Sequence, residues 1–127
     1  MSRYLIIVFA FISTLGYSQE WEHISTSDDG KEVFMRPHSK SSAWIKTTNI
    51  DVYKSYLDSE PVKGEIITLY RFDCEKLKIG TLATIQYDNE GKVVRSDQTE
   101  EILVKMEYPY PDSYGELFLK TFCKSHN

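Results

Sequence analysis

The groups that could do chemistry in this 127-residue chain are two cysteines, three histidines and two adjacent pairs of acids. The histidines are His23 in an expected strand, His38 in a turn after Pro37, and His126 near the end. No His-x-x-x-His or Cys-x-x-Cys spacing is present, so no zinc motif can be assembled from them. Each imidazole is expected on the surface or half-buried. Asp28-Asp29 belongs to a turn and Glu100-Glu101 to the entrance of a strand, where solvated acids are the expectation. The six glycines form neither a Gly-x-Gly-x-x-Gly pattern nor a phosphate loop, and no serine sits in Gly-x-Ser-x-Gly. Cys74 and Cys123 are the only thiols and lie far apart in sequence. Redox dithiols are usually separated by two residues, so a structural bridge is the better reading. The sequence therefore predicts no catalytic residue, no cofactor and no metal ligand.

Contact chemistry is better represented. Aromatic residues make up 13% of the chain, and nine of them are tyrosines. Tyrosine offers rigid, amphipathic contact area. Tyr53, Tyr56, Tyr108 and Tyr110 fall in expected loops or edges, where they could form a binding surface. The plainer reading is that they cover the open edges of a small sheet.

These residues need a scaffold, and the chain begins with a segment that is not part of one. Arg3 is followed by the apolar run Tyr4 to Leu15. A bilayer span needs roughly 20 apolar residues, so this run fits the core of a signal peptide. Gly16-Tyr17-Ser18 supplies small residues for a cut before Gln19. The expected organisation is a signal peptide over 1–18 and one domain over 19–127. A buried N-terminal helix or strand, or a retained anchor, is the alternative. No cysteine follows the apolar run to take a lipid, and no second long apolar stretch predicts a membrane span after cleavage. The net charge of −4 becomes about −5 once Arg3 is lost. Phosphate binding needs clustered Lys and Arg, so a nucleic-acid partner is not expected.

Strand patterns dominate the rest. Trp21 to Ile24 alternates, Asp29-Gly30 turns the chain, and Lys31 to Arg36 returns until Pro37. Ala43 to Tyr53 is rich in β-branched and aromatic types. Lys54 to Gly64 reads as a loop. In Glu65 to Cys74, Ile66, Thr68, Tyr70, Phe72 and Cys74 share one face, and Ile67, Leu69, Arg71 and Asp73 the other. Leu77, Ile79, Thr81, Ala83, Ile85 and Tyr87 are expected on one side of the next strand. Asp88 to Gly91 turns the chain, Lys92 to Ser96 begins another strand, and Ile102 to Met106 is expected as the last. Short turns favour antiparallel pairing.

The period changes after Tyr108-Pro109-Tyr110-Pro111. Ser113 and Glu116 fit a capping box for a helix from Tyr114 to about Lys124. Gly115, Phe118, Leu119, Phe122 and Cys123 then share a face. If that face packs on Tyr70 and Phe72, Cys123 approaches Cys74, and an exported chain would oxidise the pair; two free buried thiols are the alternative. The expected fold is α+β: mainly an antiparallel sheet of about six strands, with a C-terminal helix packed on it and disulfide-bonded to it.

This order of features resembles the surface-adhesin protein E-like family of bacteria. The matching residues are Trp21, the turn Ser27-Asp28-Asp29-Gly30, Val33-Phe34-Met35, Trp44 and Leu69-Tyr70-Arg71-Phe72-Asp73-Cys74. The strand pair around Gly91, Pro109 and Pro111 before the helix, and Phe122-Cys123-Lys124 complete the pattern. The resemblance implies an antiparallel sheet with a disulfide-bonded C-terminal helix. The namesake is a surface lipoprotein that forms dimers and binds host matrix proteins. This chain departs from it in lacking the lipidation cysteine, and it shows no motif matching the namesake's binding residues. The function so implied is an exported, non-enzymatic binding protein of the periplasm or exterior, with an extracellular or envelope protein as partner. The alternatives are a periplasmic small-ligand carrier or enzyme with a site between sheet and helix, and an envelope structural homodimer built on strand edges.

Overall fold

The computed structural model describes residues 20–55, 57 and 60–125. The expected signal peptide, Tyr56 and His126 lie outside the described residues. Six strands form one antiparallel sheet: β1 (Glu22–Thr26), β2 (Glu32–Ser39), β3 (Ser42–Val52), β4 (Val62–Asp73), β5 (Lys78–Tyr87) and β6 (Val93–Gln98). Their order across the sheet is their order in the chain. Helix α1 (Tyr114–Ser125) follows and contacts β4 and β5.

Turn chemistry sets the hairpins. Gly30 adopts φ +88° in the β1–β2 turn, a conformation that side chains disfavour. Asp29 there accepts from the Ser27 hydroxyl, which holds its carboxyl below the usual range, with Lys31 adding to the effect. In the β5–β6 turn Asp88 accepts from the backbone N–H of Glu90 at 2.8 Å and of Lys92 at 3.0 Å. These bonds, the one to Lys92 foremost, hold the Asp88 carboxyl below the ordinary aspartate value. Its stabilising effect is complete above the unfolded aspartate pKa and is lost as pH falls through the lower folded one. An NMR titration of the Asp88 carboxyl carbon is expected to give a midpoint below that of an aspartate in an unstructured peptide. The protection factors of the Glu90 and Lys92 amides, measured against their intrinsic exchange rates, should fall over the same acid range.

The helix has the expected start, with one change. Ser113 Oγ accepts from Glu116 N–H at 3.3 Å. Glu116 reaches back to the N–H of Asp112 at 3.3 Å rather than to that of Ser113. Lys120 bonds Glu116 at 3.2 Å, and with the Asp112 bond it lowers the Glu116 carboxyl. The buried helix residues are Phe118, Leu119, Phe122 and Cys123. They pack on Val33, Met35, Ala43, Ile45 and Phe72, with Tyr70 and Ile79 at the margin. Cys74 and Cys123 form a disulfide with their Cα atoms 5.6 Å apart.

Three local expectations change. Pro37 does not end β2, which runs on to Ser39 paired with β3. It lies beyond Met35, the last β2 residue paired with β1, and so occupies a free-edge position that tolerates proline. The β5 side chains do not all share a side. Tyr70 pairs with Thr81 and Leu69 with Ala83, which leaves Leu82 as an extra residue. This bulge reverses the alternation: Ile79 and Thr81 face the helix, whereas Ala83, Ile85 and Tyr87 face away. The third change concerns Ile102 to Met106, which is not a strand. Thr99 N–H bonds Leu82 carbonyl oxygen at 2.9 Å, and the chain then leaves the edge in a 3-10 turn, Glu101–Leu103. It rejoins β5 where Glu107 pairs with Ile79.

Close strand contact makes Gly64 indispensable. A Cβ there would lie 2.1 Å from the Tyr87 carbonyl oxygen and 3.0 Å from Val52 Cγ2. Gly64→Ala is expected to destabilise by about 1–3 kcal/mol through forced displacement of β4 from β5. Urea unfolding, with the slope unchanged and the midpoint lowered, checks this.

Candidate functional site

The tyrosines expected at a binding surface divide between two ends of the sheet. Tyr53 is exposed just after β3, whose last residue pairs with Val62 at the start of β4. Tyr108 stacks near Lys78, 5.0 Å from its Nζ to the ring centroid, and Lys78 pairs with Asp73 at the other end of β4. The length of β4 separates them by about 35 Å. Tyr108 and Tyr110 are both exposed on the segment leading to α1. Tyr108 and Pro109 flank a groove of about 560 Å³ along the helix, with Leu77, Leu119 and Cys123 on its walls.

The layer between sheet and helix is filled by side chains. Phe72 stacks on Phe122 with ring centroids 4.5 Å apart, and Tyr70 meets Phe118 at 5.6 Å. Burial pushes the Tyr70 phenol above its ordinary pKa, against a smaller opposing effect of its hydrogen bond with Thr68. Among the described residues no three His, Cys, Asp or Glu side chains gather as metal ligands.

The opposite face of the sheet is unlike the solvated face of an ordinary antiparallel sheet, where polar residues alternate outward. Since Tyr70 and Phe72 point to the helix, Leu69 and Arg71 point away, and residues directly paired with them share that face. One cross-strand row reads Arg36, Trp44, Leu69, Ala83 and Gln98. The next reads His23, Phe34, Lys46, Ile67, Ile85 and Ser96. Trp44, Phe34, Ile67, Leu69 and Ile85 are all half-buried, and no helix among the described residues lies over them.

The β1–β3 half of this face is aromatic and cationic. Lys46 Nζ lies 4.7 Å from the Trp21 ring centroid and 5.0 Å from that of Phe34. Such placements attract the ammonium to the ring faces. His23 meets Phe34 edge-on at 5.3 Å, and His38 meets Trp44 at 5.8 Å. Of the described arginines, Arg71 pairs with Glu101 and Arg95 with Asp97, while Arg36 has no carboxylate partner. Glu32 and Glu65 stand one step further along the strands, outside ion-pair range of Lys46.

The β5 half carries a raised strap, formed by the 3-10 turn and the residues after it. A Cβ on Gly80, which pairs with Arg71, would lie 2.7 Å from both Met106 Sδ and Val104 Cγ1. These two side chains therefore rest on the sheet face at that glycine. Arg71 fixes the strap through Nη1 donating to the Glu101 carbonyl at 3.3 Å and Nη2 at 3.6 Å from its carboxylate. Ile102 and Leu103 project outward, 88% and 68% exposed.

Sequence reasoning aimed at tyrosines and missed this face. The signal was present in the middle of β3 and β4, where apolar residues fall on both sides: Trp44 opposite Ala43 and Ile45, and Ile67 and Leu69 opposite Tyr70 and Phe72. Two apolar faces need two covers, and the described residues supply one helix. No family model, curated protein or solved structure matches this chain.

Proposed function

We propose that this protein is an exported, non-catalytic interaction domain whose working surface is the open face of the sheet. The reading rests on one observation: the face away from α1 carries Trp44, Phe34, Ile67, Leu69 and Ile85 in one contiguous field, with no helix among the described residues over it. Contiguous apolar surface with a polar rim is the property of protein contact sites. The resemblance to the surface-adhesin protein E-like family agrees with a role in binding, with an extracellular or envelope protein as the class of partner. Export is supported by the signal-like N-terminus and by the Cys74–Cys123 disulfide, a bond that persists in oxidising compartments.

The groups with shifted acidity have local structural work that supports the non-catalytic reading. Asp29 and Asp88 hold turns, Glu116 caps a helix, and Tyr70 is packed beneath that helix. The filled layer of Phe72, Phe118 and Phe122 occupies the space that a small-ligand carrier would use.

Capture from envelope and matrix extracts tests the reading. The purified protein is expected to retain a protein partner, its own chain included, that Leu69→Asp does not retain while keeping its circular dichroism. Equal capture by both would overturn it.

A further inference from the structure

The centre of the open face offers an occupant side chains but no backbone. Strands β2 to β5 each pair on both edges, so their N–H and C=O groups are spent within the sheet. A segment laid on the rows of Trp44–Leu69 and Phe34–Ile67 must therefore satisfy its own backbone, because an unpaired buried amide is costly. A helix does this internally, and a second sheet does it through its own ladder. The strap separates these two. A stacked sheet would lie about 10 Å above the whole face. Val104, Met106 and the turn carrying Ile102 and Leu103 already stand in that layer beside Gly80. Next to the strap, β2 to β4 leave a trough about 14 Å wide. A helix with its side chains is about 10–12 Å across. The two apolar rows are two residues apart along the strands, about 7 Å. Successive turns of one helix, about 5.4 Å apart, reach both.

Charge says which helix fits. Arg36 stands beside Trp44 and Lys46 beside Phe34 on the β2–β3 bank of the trough. Among the described residues neither is in ion-pair range of a carboxylate, in a chain of net charge −4. Lys46 rests instead on the rings of Trp21 and Phe34. A cover that dries this bank removes water from both cations, so it must bring acids of its own. The other bank differs. There Glu101 is held by Arg71, Ile102 and Leu103 are exposed, and Glu100 is an exposed acid. The acids of the occupant therefore belong along one flank, with aliphatic or basic residues along the other.

We propose that the trough over β2–β4 receives an amphipathic helix of a partner protein. Its apolar stripe lies on Trp44, Leu69, Phe34 and Ile67, and its acidic flank lies against Arg36 and Lys46. The proposal rests on reading the open face as the working surface, and it names the chemistry of the partner. Recognition by an apolar stripe in a groove, with flanking charge setting the choice of partner, is a recurrent way of reading a helix.

Synthetic peptides serve as probes against the purified exported protein. The first carries leucines at helical i, i+3, i+4 and i+7 spacing, with glutamates along one flank. The second has lysine in place of every glutamate. The third is the acidic peptide with a proline at its centre. Fluorescence anisotropy should give the acidic peptide a dissociation constant between about 1 μM and 1 mM, as suits a small contact. The lysine and proline peptides should bind at least about tenfold more weakly. Amide shifts on binding should map to Phe34, Trp44 and Leu69 and leave α1 unmoved. Arg36→Glu combined with Lys46→Glu should reverse the order of the acidic and lysine peptides. Should that pair lower the unfolding midpoint, Arg36→Glu alone, at an exposed position, should still narrow the difference.

No binding by the acidic peptide would overturn the proposal. So would equal binding of the acidic and lysine peptides, or an order unchanged in both charge variants. Equal binding of the proline peptide would point to an extended occupant and overturn it as well. A partner captured by the wild type and lost by Leu69→Asp would stand under any of these results, so failure of the helix proposal and failure of the interaction reading are separable.

Discussion

Phe122→Ala is expected to lower stability by about 3–5 kcal/mol. Phe122 is 1% exposed and stacks on Phe72. It belongs to the cluster that joins α1 to β2, β3 and β4. Truncation removes the burial of an aromatic ring and leaves a cavity that the sheet cannot collapse to fill. The ring pair adds about 0.5–1.5 kcal/mol beyond area. The loss is comparable with a sizeable part of the total stability of a domain, on the order of 5–15 kcal/mol. Urea unfolding followed by both far-ultraviolet circular dichroism and tyrosine fluorescence measures it. Tyr110→Ala serves as the control: that ring is 83% exposed, and its loss is expected to stay within about 0.5 kcal/mol. Equal effects at the two positions would contradict the packing described for the helix.

The second large effect is at the disulfide. Removing it by replacing both Cys74 and Cys123 with serine is expected to cost about 2–5 kcal/mol. The bridge closes a loop of 49 residues by sequence separation. Chain-entropy estimates for such a loop give roughly 4 kcal/mol, with the usual dispute over its origin. The effect should also be localised. A helix of 12 residues is marginal in isolation, and α1 owes its persistence to its apolar face and the bridge. Limited proteolysis should cleave first within α1, while the amides of β3 and β4 keep their protection. A helix that resists protease as well as before would show that packing alone holds it.

The fold was legible because its signals are local and repeated. Asp29-Gly30 and Asp88 to Gly91 announce two hairpins, and Gly30 and Gly91 take the positive φ those turns need. The spacing of Phe118, Leu119, Phe122 and Cys123 announces the buried helix face, and all four are buried. Less legible was anything set by pairing across strands. Leu82 looks like any other residue of an alternating run, yet as the extra residue of a bulge it reverses the side on which Ala83 and Ile85 lie. Ile102 to Met106 has the composition of a strand. It becomes a strap because Arg71 from β4 reaches Glu101 and because Gly80 leaves room for Val104 and Met106. Those causes sit tens of residues away in sequence. The candidate site was hidden for the same reason. Arg36, Trp44 and Leu69 form a row only after β2, β3 and β4 have found their register.

The sequential strand order governs how the chain can be built. Every strand pairs with its neighbour in sequence, so each new pairing closes only a short loop. Low contact order of this kind favours fast assembly. The sheet can therefore grow hairpin by hairpin as the chain becomes available. Helix α1 is the exception, because its β4 contacts and its bond to Cys74 both reach back across β5 and β6. Until it docks, Val33, Met35, Ile45 and Phe72 are exposed on a sheet that is already paired. The sheet is therefore expected to pair before the last twelve-residue element docks, an order that pulse-labelled amide exchange of β3 and α1 during refolding checks.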